Sequence, residues 1–314
     1  MKKAGKGTAL KQKRTWKQEV QHNWPLYVLI LPSFVLAIIF CYVPMGGLVM
    51  AFQDYKPWLG ITGSQFVGMD NFRQIFEFKE SYQAIINTLI IAVSKIILGL
   101  IVPIIMALLL NEVHNIGLKK GIQTLVYLPH FLSWIIVTGI LHDALSGTGI
   151  INELLVNFGI LDQPLNFFAY PKYFWPIVAF ANVWKETGWN AIIYLSAITA
   201  IDPSLYEAAN MDGAGRWARI KYVTLPGIKP TIMILLLMNV GNVLNAGFEI
   251  QYLLGNGLVQ SVSQTIDIYV LKWGISQNDF SIGTAAGIFK SLVSIILIVI
   301  ANQIAKRNGE ERLF

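Results

Sequence analysis

The chain has 314 residues, 54% of them hydrophobic and only 13% charged, with a mean hydropathy of +0.54. A soluble globular domain carries about 25% charged residues, so this balance excludes one and describes an integral membrane protein. The net charge of +6 calls for no nucleic acid, because an anionic inner leaflet attracts basic residues beside the spans, and Cys41, the only cysteine, excludes an intramolecular disulfide or a cysteine metal cluster.

Residues 1–25 read as a polar, basic cytoplasmic tail. Six apolar stretches then reach the roughly 20 residues a bilayer crossing needs: about 26–50, 84–110, 121–145, 175–200, 227–250 and 282–305. The first follows a basic segment, but it far exceeds the apolar run of about 7 to 15 residues in a cleavable signal, so it reads as a retained anchor. Pro44, Pro103 and Pro129 fall within or near spans and predict kinks. The expected fold is an all-α membrane protein: one six-helix domain over 26–305, and a cytoplasmic tail over 306–314.

With the N-terminus in the cytoplasm, sixteen Lys and Arg fall on inner segments against five outside, namely Lys56, Arg73, Lys79, Lys172 and Lys272. That asymmetry places both termini and the 201–226 loop on the inner face. The outer segments, 51–83, 146–174 and 251–281, carry short amphipathic pieces at 71–78 and 151–158 and an aromatic run at 167–175. These suit either reception of a delivery protein or an interfacial aromatic belt. His22, His114, His130 and His142 have no i, i+4 pairing for a helical metal site, and no Gly-rich loop ends in Lys-Ser/Thr. If ATP drives this chain, a partner must carry the nucleotide.

The 201–226 loop is too short and too charged to span a bilayer. Asp202 and Ser204 are both able to cap a helix, Pro203 suits its first turn, and Ser204 with Glu207 has the Ser-x-x-Glu spacing of a capping box. Gly213 and Gly215 permit a tight turn, and a second short helix bearing Arg216, Arg219 and Lys221 is expected to run to Leu225 and Pro226. The product is a helix-turn-helix finger.

Charged groups inside spans are costly and usually face a cavity or a partner. On the fourth span Asn182, Lys185, Glu186 and Trp189 recur at i, i+3, i+4 and i+7, which puts them on one helical face. On the fifth, Asn239, Asn242, Asn245 and Glu249 fall within an arc of roughly 120°. Amides and carboxylates near Trp184, Trp189, Phe248 and Tyr252 offer paired donors and acceptors for hydroxyls and flat apolar surface for a pyranose ring. The other reading of these groups is interhelical hydrogen bonding and ion pairing, with Lys95 or Lys290 able to meet Glu249.

The finger resembles the cytoplasmic EAA loop of ABC-importer permeases. Glu207, Ala208 and Ala209 are followed by three residues ending at Asp212, then Gly213, nine residues, Val223 where the pattern has isoleucine, one residue, and Leu225-Pro226. Val223, one methylene smaller than isoleucine, is the single departure. Asn87-Thr88, Tyr127-Leu128-Pro129, Trp184 and 253–257 extend the resemblance over nearly the whole chain, toward the maltose-permease and LplB-like carbohydrate group of type I permeases. Membership would imply a multi-pass subunit of a bacterial inner or plasma membrane, not itself an enzyme and without a cofactor of its own. It would pair with a second permease as a heterodimer, and with two ATPase subunits that bind ATP-Mg. An extracellular binding protein would deliver an oligosaccharide. The resemblance implies that Glu207, Ala208, Ala209, Asp212, Gly213, Leu225 and Pro226 belong to the part that couples to the ATPase. The excess of Lys95, Lys185 and Lys290 over Glu186 and Glu249 points toward an acidic saccharide, with a neutral oligosaccharide the other reading. An ion-coupled secondary transporter is the rival class, and it leaves the capped finger without a task.

Overall fold

The structure, a computed structural model, describes residues 16–307 and 309. Most of the expected basic tail, and residues 308 and 310–314, lie outside them. The chain divides into two compact units, residues up to 49 and residues 50–314, where the sequence reading has a single domain after residue 25. In the first unit α1 (Trp16–Ala37) runs into a π turn at Ile38–Tyr42 and then a 3-10 stretch, Val43–Phe52. The widened turn has a local cause. Pro44 lacks an N–H and its ring would strike the carbonyl four residues back, at Phe40, so the helix opens there.

The second unit begins with a two-residue ladder, β1 (Gln53–Asp54) antiparallel to β2 (Gln65–Phe66), with Gln53 opposite Phe66. The fold is therefore mostly helical and not wholly so. Around this ladder lie α2 (Gly60–Gly63) and the amphipathic α3 (Asp70–Glu77), and then α4 (Lys79–Glu112). The expected third span is not one helix. It is α5 (Ile116–Tyr127), a 3-10 segment at Leu128–Phe131, and α6 (Trp134–Leu145). Pro129 cannot donate into a continuing helix, and the Ser133 side chain restarts one by accepting from the Ile136 backbone N–H.

Short α7 (Ile150–Asn157) leads to α8 (Pro171–Thr199), then α9 (Pro203–Met211), α10 (Arg216–Arg219) and α11 (Leu225–Gly241). The expected fifth span also stops early, at Gly241; a break over 242–247 precedes α12 (Phe248–Leu254). After α13 (Gln260–Ser263) and α14 (Ile266–Val270), α15 (Phe280–Arg307) ends the described chain.

Among the described residues, five helical stretches are long and apolar enough to cross a membrane: Glu19–Phe52, Lys79–Glu112, Trp134–Asn157, Arg216–Gly241 and Phe280–Arg307. The 29-residue α8 is long enough, at about 43 Å, but its polar face keeps it out of that set. Packing follows lipid rules. Ile97, Ile101, Ile105 and Leu109 form an exposed apolar stripe at every fourth position of α4, while its buried face carries small and polar residues such as Ala84, Asn87, Thr88 and Ala107.

The seam between α4 and α8 is the main axis of the second unit. Toward the C-terminal end of α8, Ala191, Tyr194 and Ile198 pack with Ala107 and Leu110 of α4 and Ile228 of α11. Toward its N-terminal end, Phe174, Val178 and Ala181 pack with Val137 and Leu141 of α6 and Ile250 of α12. The 261–266 segment is pinned to α4 by an amide and a hydroxyl: Asn87 Nδ2 donates to the Ser261 and Gln264 carbonyls, and Thr88 Oγ1 accepts from the Ile266 N–H at 2.9 Å.

Candidate functional site

The finger starts at a cap. Asp202 Oδ1 accepts from the Ser204 backbone N–H at 2.9 Å, making Asp202 the N-cap of α9. Ser204 already lies inside the helix, so the Ser204–Glu207 capping box does not form. The Ser204 N–H holds the Asp202 carboxyl below its usual range. A depressed carboxyl stabilises the fold fully above the ordinary aspartate value of about 3.9, and that contribution is lost as pH falls through the lowered one. Asp202→Ala is accordingly expected to speed amide hydrogen exchange over residues 204–207, with Asp202→Ser retaining protection. Unchanged exchange in the alanine variant would remove the cap from the argument.

α9 ends in a left-handed turn. Gly213 has φ +73°, and the Ala214 N–H reaches back to the Ala209 carbonyl at 2.9 Å, satisfying a carbonyl the helix end would otherwise leave open. Glu207, Ala208 and Asp212 are exposed, Ala209 half-buried, and Glu207 makes no ion pair among the described residues. The two arms are tied by Tyr206 Oη to Thr224 Oγ1 at 3.0 Å and by Arg219 Nη1 donating to Asn210 Oδ1 at 3.1 Å.

Leu225 and Pro226 do not end the second arm as expected. α10 passes through a π turn, Ile220–Thr224, directly into α11, so Arg216–Gly241 is one helical rod of 26 residues. The wide turn contains Tyr222, whose carbonyl the Pro226 ring would strike in a regular α-helix; the π geometry accommodates the proline without breaking the rod.

The far end of that rod meets a cavity of about 380 Å³. α4 contributes Ala92, Lys95, Ile96 and Gly99; α8 contributes Asn182, Glu186, Thr187 and Asn190; α11 and the break beyond it contribute Asn239, Asn242 and Asn245. Five of the eight cavity residues expected from sequence line this space together. The break itself has local causes. Asn242 Nδ2 donates to the Met238 carbonyl, competing with the helix ladder, Asn245 Nδ2 donates to Asn242 Oδ1, and Gly247 adopts φ +93°. Asn239, Asn242 and Asn245 therefore converge through a turn, not along one helical face.

The other three lie elsewhere. Lys185 is buried, and its Nζ donates to the His130 carbonyl at 2.5 Å, lies 3.7 Å from Glu186 and sits 5.5 Å from the Trp134 ring centre. Trp189 stacks on the His130 ring at 4.5 Å. Glu249 is exposed on α12 and outside the lining. Glu186 faces both ways: it lines the cavity, and its Oε2 is 2.8 Å from His130 Nδ1. The 3-10 segment at 128–131 is thus fastened to α8 by Lys185, Glu186 and Trp189. The expected pairing of Lys95 or Lys290 with Glu249 does not occur. Lys290 pairs with Asp267 at 2.5 Å, and Lys95 Nζ donates to the Asn245 carbonyl at 3.1 Å. Asn190, Thr187 and Lys95 were missing from the sequence-derived cavity. Asn190 sits four residues after Glu186, a spacing that could have found it.

Long apolar helices around a polar cavity, with a capped finger continuous with the cavity wall, define a permease, a subunit that moves a solute across a membrane. The family model described as "Binding-protein-dependent transport system inner membrane component" matches residues 99–309, and the chain belongs to that family. ATP hydrolysis in such a system lies on separate subunits, and the permease is not itself an enzyme. The chain is 44% identical to the polygalacturonan/rhamnogalacturonan transport system permease protein YteP of Bacillus subtilis (strain 168), over 97% of this chain and 94% of that protein. It is 41% identical to protein LplB of the same organism, over 99% of this chain and 96% of that one. Among solved structures, a chain of a bacterial alginate ABC transporter in complex with alginate pentasaccharide-bound periplasmic protein has a TM-score of 0.87 at 38% identity, covering 96% of this chain and all of that one.

Proposed function

We propose that this chain is one of two different permease subunits in a cell-membrane importer that receives an oligosaccharide from an extracellular binding protein and is driven by two ATPase subunits. In this reading the chain crosses the membrane six times, with α8 as the sixth crossing and both termini cytoplasmic. The observation that carries it is the continuity of finger and cavity: Arg216–Gly241 joins the turn after Gly213 to Asn239 at the cavity wall. A rod of about 39 Å transmits a displacement that a flexible loop would absorb. Movement of the finger by the ATPases then rocks α11 against the α4–α8 seam and changes which side of the membrane the cavity faces. Glu207, Ala208, Ala209, Asp212 and Gly213 form the docking end, and Leu225 and Pro226 the start of the lever. The cavity amides pair with sugar hydroxyls, each offering both a donor and an acceptor. The names of the relatives above, a galacturonan permease and an alginate transporter, favour an acidic saccharide as cargo.

The test is uptake by the complete importer reconstituted in proteoliposomes. Uptake of an oligogalacturonate should require internal or external ATP on the ATPase side, be abolished by vanadate and be indifferent to ionophores; ionophore-sensitive, vanadate-resistant uptake would overturn the reading in favour of ion coupling. In the same assay Asn242→Ala and Asn245→Ala should lower uptake several-fold while the subunits still co-purify, since each removes one amide pairing with the sugar worth about 1 kcal/mol. Normal uptake by both variants would mean that these amides only shape the break.

A further inference from the structure

Three lysines lie near the membrane level, and the structure separates them. Lys185 is turned toward the His130 carbonyl, and Lys290 is paired with Asp267. Lys95 opens on the cavity, and its Nζ has a neutral partner, the Asn245 carbonyl at 3.1 Å, with no ion pair among the described residues. Glu186, the carboxylate in the lining, is held 2.8 Å from His130 Nδ1 and 3.7 Å from Lys185. An ammonium has three donors, so two remain. Nearby, the buried Thr187 Oγ1 has no hydrogen-bond partner among the described residues and belongs to the same lining.

We propose that Lys95 is the specificity-determining residue of the cavity, pairing with a carboxylate of the saccharide and so favouring an acidic cargo over a neutral one. The proposal rests on the saccharide reading above and deepens it. The carboxylates whose charge reaches Lys95, Glu186 and Asp267, are held by His130, Lys185 and Lys290 and do not bond it, so a cargo carboxylate supplies a direct ion pair that a neutral sugar filling the same space does not. A charge-assisted hydrogen bond is also shorter and stronger than the neutral bonds that the surrounding asparagines can make. Because Lys95 holds the Asn245 carbonyl, the cargo's charge would be felt directly at the 242–247 break.

The experiment is equilibrium binding of trigalacturonate and of its fully methyl-esterified counterpart, equal in length but neutral, to the purified complex of both permeases and the ATPases. Leaving out the binding protein keeps its own selectivity out of the comparison. The wild type is expected to prefer the acid by roughly 10- to 100-fold, the range of one hydrogen bond to a charged group. Lys95→Met should bind both at the ester's affinity, and Lys95→Arg should keep the preference. The proposal is overturned if Lys95→Met still prefers the acid, if it weakens both ligands equally as a merely structural lysine would, or if it no longer assembles while Lys95→Arg assembles without preference. Failure of the wild type to bind either saccharide would instead overturn the saccharide reading, and this proposal with it.

Discussion

Gly188→Ala is expected to destabilise the bundle more than its single added methyl would suggest. A Cβ at Gly188 would stand 2.1 Å from the Val126 carbonyl oxygen and 2.5 Å from the Val126 carbonyl carbon. Both are backbone atoms of α5, so no side chain can swing aside, and the two helices must separate. Overpacking of this kind costs about 1 to 3 kcal/mol and sometimes more. The separation would also strain the contacts flanking it, the Lys185 bond to the His130 carbonyl and the stack of Trp189 on His130. The measurement is thermal unfolding of the detergent-purified complex, with Gly121→Ala as the comparison. Gly121 is on the same α5 and an added Cβ there meets nothing within 4 Å. There the substitution should be neutral or slightly stabilising, because alanine is the better helix former by about 1 kcal/mol. A Gly188→Ala complex as stable as wild type would show that α5 and α8 do not approach this closely.

The second large effect is expected at the finger. Gly213→Val places a β-branched residue at φ +73°, where an L side chain collides with its own backbone. The strain, roughly 1 to 2 kcal/mol or more, falls on an exposed turn whose shape is its function. The variant should insert normally yet retain less than about a tenth of wild-type uptake, with the ATPases lost on co-purification, whereas Gly213→Asn, which tolerates the left-handed region, should keep most of both. Glu207→Ala should weaken the same association less severely, since it removes an exposed side chain and leaves the turn intact. Full uptake by Gly213→Val would detach the finger from coupling.

What could be read from the sequence alone is what depends on near neighbours in the chain or on the solvent. Five of the six expected spans overlap a helical stretch long and apolar enough to cross a membrane, and they follow from composition because lipid offers no hydrogen bonds and admits only long apolar helices. The finger's start, turn and pattern follow from Asp202, Pro203 and Gly213, whose effects reach only three or four residues. The fourth-span stripe was legible to the extent that helical period determines which residues share a face: Asn182 and Glu186 do line the cavity.

The errors share a cause. Extending a helical period through 227–250 ignored Gly241, Asn242, Asn245 and Gly247, which are turn formers, and so carried Glu249 onto a face it does not share. Reading Leu225-Pro226 as a stop ignored that a π turn can absorb a proline. Lys185 and Glu186 are adjacent in sequence and both within the stripe, yet only Glu186 reaches the cavity, because the carbonyl that captures Lys185 belongs to His130, 55 residues away. The position of Lys95 beside Asn245, 150 residues apart, is of the same kind. A charged side chain in a membrane goes where a distant partner neutralises or solvates it, and only the tertiary fold says which partner that is.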